Sequence, residues 1–150
     1  MKRFCKAISF LAMITLMVAI FIFSSQDGEL SREVSNSFVK RTSNVIVLKE
    51  LFAVLPVRKL AHFTIYFCLG FTTFWFAKCF QLKYHCLLSI AFCFLYACTD
   101  EIHQYFVDGR GASAFDVCLD TFGSAVSIIP CCLLASFLAW VINKVRKKGH

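Results

Sequence analysis

The residues able to do chemistry in this chain stand at the margins of its apolar runs. Lys59, His62 and Tyr66 are spaced three and four apart, which places them on one face of a helix. Asp100, Glu101, His103 and Gln104 follow one apolar run, and Asp116 and Asp120, four apart, open the next. Between these groups lies "DGRG", a tight-turn sequence in which Gly109 and Gly111 allow positive φ, so that Arg110 can fold back toward the acids. Lys59 and Arg110 could hold a phosphate or carboxylate, a task that suits a guanidinium. Glu101 or His103 could serve as a general base. No nucleophile motif and no tight metal-ligand spacing accompanies them, so neither a metal nor a cofactor is expected.

Each group also has a plainer reading. His62 could be a hydrogen-bonded packing residue. Asp116 could cap a helix begun by Ser113, as in a capping box, with Asp120 in a salt bridge. The whole set could be an inert latch that fixes helix order. Its placement has an energetic cost, however. Asp100 and Glu101 sit at a helix C-terminus, where the helix dipole disfavours negative charge by about 0.3–1 kcal/mol each. Asp120 lies about one turn inside an apolar run, and an ionisable residue there is a functional-site hypothesis by default. Lys59, Arg110, Arg58 and protonated His62 or His103 are the candidate partners for these acids.

The elements that must position these residues are membrane spans. Hydrophobic residues make up 59% of the 150-residue chain, above the roughly 45–50% of soluble domains, and the mean hydropathy is +0.70. Apolar runs cover residues 7–23, 60–77, 84–99 and 117–142. A spanning helix needs roughly 20 mostly apolar residues. The third run reaches that length only by continuing into the acidic stretch. The expected fold is all-α: one polytopic domain over 1–150, with four transmembrane helices near 6–24, 60–78, 84–104 and 117–142 and an amphipathic helix in the first extracytoplasmic loop.

Charge supplies the orientation. Lys2, Arg3 and Lys6, then Lys78 and Lys83, then Lys144, Arg146, Lys147 and Lys148 occupy three acid-free segments, whereas all nine acids lie in or beside the other two loops. The positive-inside rule then puts both termini in the cytoplasm. The net charge of +7 reports these membrane edges, and no nucleic-acid partner is expected. The first run is long for a signal peptide and lacks an A-x-A-like cleavage site, so it reads as a retained helix. The nine cysteines form no C-x-x-C pair, which argues against zinc and a disulfide framework; Cys98 and Cys118 could approach each other.

In the first loop Leu30, Val34, Phe38, Arg41, Val45, Leu48, Phe52 and Leu55 recur at helical spacing, apolar except for Arg41. This helix either packs on the outer ends of the bundle or lies in the headgroup layer. Pro56 ends the segment. In the last span Gly123 and Ser127 form a small-xxx-small pair that admits a close neighbour, and Ser127 is near enough to satisfy the carbonyl freed by Pro130.

Three strings, "FSSQ" at 23–26, "RKLAHFTIYFCLG" at 58–70 and "DEIHQYFVDGRGASAFDVCLDTFGS" at 100–124, together resemble the VanZ-like family of small bacterial membrane proteins. The resemblance runs from Phe23 through the last span. Asp108 stands where relatives often have proline, and Ile65 where they often have an acid, which leaves the second span more cationic here. The founding member is associated with low-level resistance to teicoplanin, a lipid-bearing glycopeptide, so the resemblance implies a bacterial cytoplasmic membrane protein of the cell envelope.

The leading expectation is therefore an outward-facing polar pocket that binds without chemistry. Its ligand would be an anionic lipid or polyprenyl-phosphate headgroup, a cell-wall precursor or a glycopeptide. Lys59, His62, Tyr66, Asp100, Glu101, Gln104, Arg110, Asp116 and Asp120 would line it. The alternatives are an intramembrane enzyme acting on a lipid-linked phosphate or acyl group, with Glu101 or His103 as general base and the acids holding a divalent metal through oxygen ligands, and a structural or partner-binding bundle. Nothing in the sequence sets the oligomeric state.

Overall fold

The computed structural model describes residues 2–42 and 56–148. These form five helices: α1 (Lys2–Ser24), α2 (Gly28–Thr42), α3 (Val57–Cys79), α4 (His85–Tyr105) and α5 (Ala114–Lys148). No strand occurs among the described residues. Stretches of four of them, Phe4–Ser24, Val57–Cys79, His85–Tyr105 and Ala114–Lys147, are long and apolar enough to cross a membrane. At 1.5 Å per residue the shorter three reach about 32–35 Å, enough to cross a hydrocarbon layer of about 30 Å. The charged α2 is the amphipathic helix of the first loop. The second half of its sequence stripe, Val45, Leu48, Phe52 and Leu55, lies outside the described residues.

Two helices begin where the sequence supplies a start signal. Pro56 sits in extended conformation (φ −54°, ψ 140°) immediately before α3; its fixed φ suits a helix start and it has no N–H to leave unpaired. Ser113 precedes α5, and its Oγ accepts the Asp116 backbone N–H at 3.4 Å, the geometry of an N-cap.

α3 is the centre of the bundle, packed against α1, α4 and α5. Met13 and Ile20 of α1 meet Tyr66 and Leu69 of α3 and Cys93 and Ala97 of α4 in the buried core. The Tyr96 hydroxyl donates to the Met17 carbonyl at 2.7 Å, which joins α4 to α1. Against α5 the contact is made by small residues. A Cβ on Gly70 would fall 2.7 Å from the Ser124 carbonyl oxygen, and one on Gly123 would fall 2.6 Å from that of Phe63. Without a hydrophobic drive between helices in lipid, such backbone proximity is what holds them together. Ser127 takes a different role from the one its spacing suggests. It donates to the Ser124 carbonyl at 2.6 Å rather than to Val126, four residues before Pro130, because its side chain faces Gly70.

Large apolar side chains cover the outside, among them Leu11, Phe21, Leu87, Leu95, Phe122, Ile129 and Leu133. That is the surface a bilayer solvates.

The antiparallel arrangement sorts the helix ends. The start of α1 meets the end of α3: Cys5 and Cys79 have their sulfurs 2.8 Å apart, and Lys6 lies over the Phe80 ring at 4.3 Å. The sequence offered Cys98 and Cys118 as a pair; the geometry instead brings together two cysteines 74 residues apart, and all nine are free thiols. In a variant keeping only Cys5 and Cys79, mild oxidation should protect both thiols from maleimide labelling. Full labelling after oxidation would contradict this α1–α3 contact.

Candidate functional site

The end of α1, the start of α3, the end of α4 and the start of α5 form the opposite, polar end of the bundle. This is where the chemically competent residues meet. Lys59 Nζ lies 2.8 Å from Asp116 Oδ1 and 4.6 Å from the centre of the Phe115 ring. One helical turn deeper, His62 Nδ1 lies 3.5 Å from Asp120 Oδ2 and 3.9 Å from Asp100 Oδ2. The side chains of Asp120 and Asp100 are 0% and 2% exposed. Three helices thus converge on one imidazole, because His62, Asp100 and Asp120 each occupy the inward face of their own span.

Gln104 links this group to the rest. Its Nε2 donates to Asp100 Oδ2 at 3.0 Å and to Ser24 Oγ at 3.2 Å. Its Oε1 accepts from Arg58 Nη2 at 2.7 Å. With its oxygen facing arginine and its nitrogen facing a carboxylate, the fully buried amide has a fixed orientation.

Glu101 Oε2 accepts the backbone N–H of Ser113 at 2.7 Å. In a capping box the N–H of the capping residue is satisfied by the side chain three residues on. Here that role passes to Glu101 of another helix, which frees Asp116 for Lys59. Glu101 therefore closes the α4–α5 connection as well as lining the chamber described below.

Arg110 reaches toward the end of α1. The turn before it docks on the start of α2: the Gly28 N–H donates to the Asp108 carbonyl at 3.0 Å, and Gly28 packs on the Gly109 carbonyl so closely that no side chain fits there. Gly109 has φ +70°, as the turn sequence requires, whereas Gly111 does not share the left-handed conformation. Arg110 Nη2 donates to the Phe23 carbonyl at 3.2 Å. Its Nε and Nη1 are buried without a hydrogen-bond partner among the described residues. Burial lowers its pKa from the usual value and Arg58 adds to that, while Asp100, Glu101 and Asp27 oppose it. The guanidinium is thus near the acids, as expected, but its hydrogen bond is to a carbonyl.

Two adjoining spaces open onto these residues. A polar chamber of about 290 Å³ is bounded by Ser31 and Ser35 of α2, Arg58, Lys59 and His62 of α3, Glu101 of α4, and Asp116 and Asp120 of α5. A larger apolar groove of about 880 Å³ runs between Val34 and Phe38 of α2 and Leu60, Ala61, Thr64 and Ile65 of α3. Arg58, His62, Ser31 and Ser35 border both, and Arg110 borders the groove. The apolar stripe of α2 thus faces α3 across a gap.

The polar end collects Lys59, His62, Tyr66, Asp100, Glu101, Gln104, Asp116 and Asp120, with Arg110 entering from the loop. His103 is placed elsewhere. It stacks on Phe21 with ring centres 4.4 Å apart, and its Nε2 lies 3.0 Å from Ser25 Oγ, on the α1 side of α4. Three contributors were not legible as site residues: Ser24, the Phe23 carbonyl, and the serines of α2. Ser24 carried a weak signal, as part of the polar "SSQ" that ends a charge-free span.

A family model described as VanZ/LLP1 matches residues 9–136, a range that includes every residue of this site. No curated protein and no solved structure matches the chain.

Proposed function

The chain belongs to the VanZ-like family, and from that premise we propose that it binds an anionic amphiphile of the bacterial cell envelope, with the charged headgroup in the polar chamber and the hydrocarbon in the apolar groove. The observation that carries this reading is the junction of the two spaces at Arg58, beside an Arg110 whose Nε and Nη1 donors lack partners among the described residues. A guanidinium with buried, unused donors is matched by phosphate or carboxylate oxygens. The volumes of about 290 and 880 Å³ are of the order of known small-molecule sites, about 300–1,000 Å³. Polyprenyl phosphates, cell-wall precursors and a lipid-bearing glycopeptide of the teicoplanin type all share the chemistry of an anionic or polar head on a hydrocarbon tail.

Binding without turnover is favoured by what the two candidate bases do. Glu101 is engaged by the Ser113 N–H, and His103 packs against α1. The basic segments, which put Lys78 and Lys83 at the end of the bundle opposite the chamber, support a chamber facing the extracytoplasmic side with both termini inside.

The test is retention of lipid by the purified protein. Native mass spectrometry of wild type in vesicles containing polyprenyl phosphate should show one retained anionic lipid. A charged hydrogen bond contributes about 1.5–3 kcal/mol, so Arg58→Ala and Arg110→Ala should each weaken retention roughly 10–150-fold. Equal retention by the Arg58→Ala/Arg110→Ala double variant, or equal retention of a zwitterionic lipid, would overturn the reading.

A further inference from the structure

His62, Asp100 and Asp120 come from three different spans, yet each offers one ligand atom within 4.8 Å of the others. We propose that these three residues form a divalent metal site, of the zinc or manganese class, in the wall of the polar chamber. The three ligands are 38 and 20 residues apart along the chain, so spacing does not group them and only helix packing brings them together.

Donor chemistry, distance and charge agree. One imidazole nitrogen and two carboxylate oxygens are a known ligand class for zinc and also suit manganese. With metal–ligand bonds of about 2.0–2.2 Å, neighbouring ligand atoms in a tetrahedral site stand roughly 3.3–3.6 Å apart. The His62 Nδ1–Asp120 Oδ2 separation of 3.5 Å falls in that range, the 3.9 Å to Asp100 Oδ2 needs a shift of a few tenths of an ångström, and the two carboxylates, within 4.8 Å of each other, draw together on the metal. His62 and Asp120 border the polar chamber, so the fourth position would face it.

Two further observations point to a missing partner. Both oxygens of the fully buried Asp120 lack a hydrogen bond among the described residues. So does the hydroxyl of Tyr66, also 0% exposed, which lies within electrostatic reach of Asp100 and Asp120. Charge balance gives the same answer. Two buried carboxylates facing one imidazolium leave an excess negative charge; of the cations nearby, Lys59 pairs with Asp116, Arg58 donates to Gln104, and Arg110, within electrostatic reach of Asp100, donates to the Phe23 carbonyl. A divalent cation beside a neutral imidazole leaves no excess. Gln104 would be the outer support, since its Nε2 donates to Asp100 Oδ2, the role such residues play in established metal sites.

The site does not depend on the lipid reading, and its test uses the metal alone. Full-length protein in detergent, stripped with chelator, is titrated with Co²⁺ and then with competing Zn²⁺. The expected result is one Co²⁺ per chain with a spectrum of nitrogen and oxygen ligation. Asp120→Asn and His62→Gln should weaken binding at least about 100-fold and Gln104→Leu about 10–100-fold, while His103→Ala, on the α1 side, keeps wild-type affinity. Failure of wild type to bind, unchanged affinity in Asp120→Asn, or a thiolate charge-transfer band from the cysteines would overturn the proposal. Should the ligand variants not fold, nitrogen couplings of Mn²⁺ bound to wild type decide: one imidazole supports the site, and none overturns it.

Discussion

At a pH where the imidazole carries its second proton, alanine in place of His62 should destabilise the folded protein by about 3–5 kcal/mol, the cost of removing one partner from a buried ionic contact. The imidazole stands between Asp100 and Asp120, 3.9 and 3.5 Å away. Without it two carboxylates face each other with almost no access to water. Lys59 cannot take its place while Asp116 holds it at 2.8 Å. Adding Asp120→Asn to His62→Ala removes one of the two charges and should restore a large part of the lost stability. The measurement is the thermal midpoint in detergent with chelator present, so that the imidazole–carboxylate contact is read without metal. Single and double variants that melt at the same temperature would show that His62 and Asp120 are not coupled.

The second large effect belongs to the α3–α5 contact. Gly70→Ala places a methyl group 2.7 Å from the Ser124 carbonyl oxygen and 2.8 Å from its Cα, and Gly123→Ala places one 2.6 Å from the Phe63 carbonyl oxygen. Overpacking costs about 1–3 kcal/mol where side chains can give way. Here the obstacle is backbone, so each substitution should cost the upper part of that range or force the helices apart. Ser127→Ala should not rescue Gly70→Ala, because removing the hydroxyl leaves the Ser124 backbone in place. Gly111→Ala, which meets nothing within 4 Å, is the control. The readout is monodisperse protein on size exclusion. Because α3 carries Lys59 and His62 and α5 carries Asp116 and Asp120, a separation would also open the polar end. Wild-type yield and melting for both glycine variants would refute the close approach.

Much of this site was legible in the sequence, for a physical reason. Helical spacing fixes which residues of one helix share a face, so Lys59, His62 and Tyr66 could be grouped without a structure, as could Asp116 and Asp120. The cost of ionisable groups in apolar runs marked Asp120 and His62 as residues that need partners. The identity of those partners was not legible. The approach of Arg58 to Gln104, the capture of the Ser113 N–H by Glu101 and the departure of His103 to α1 depend on how each helix is rotated toward its neighbours. One residue of rotation on α4 separates Glu101, on the inner face, from Ile102, on the outer one.

Apolar length and charge pattern by themselves determined that this chain is a helical bundle with four helices long and apolar enough to cross a membrane and with its acids and their partners gathered at one end, because the bilayer imposes span length and penalises every misplaced charge. The tertiary structure alone decided that His62 meets Asp100 and Asp120, that Cys5 meets Cys79, and that a polar chamber opens onto an apolar groove at Arg58. Those outcomes depend on the rotation and depth of packed helices, set by close contacts such as Gly70 on Ser124, and no spacing along a single helix encodes them.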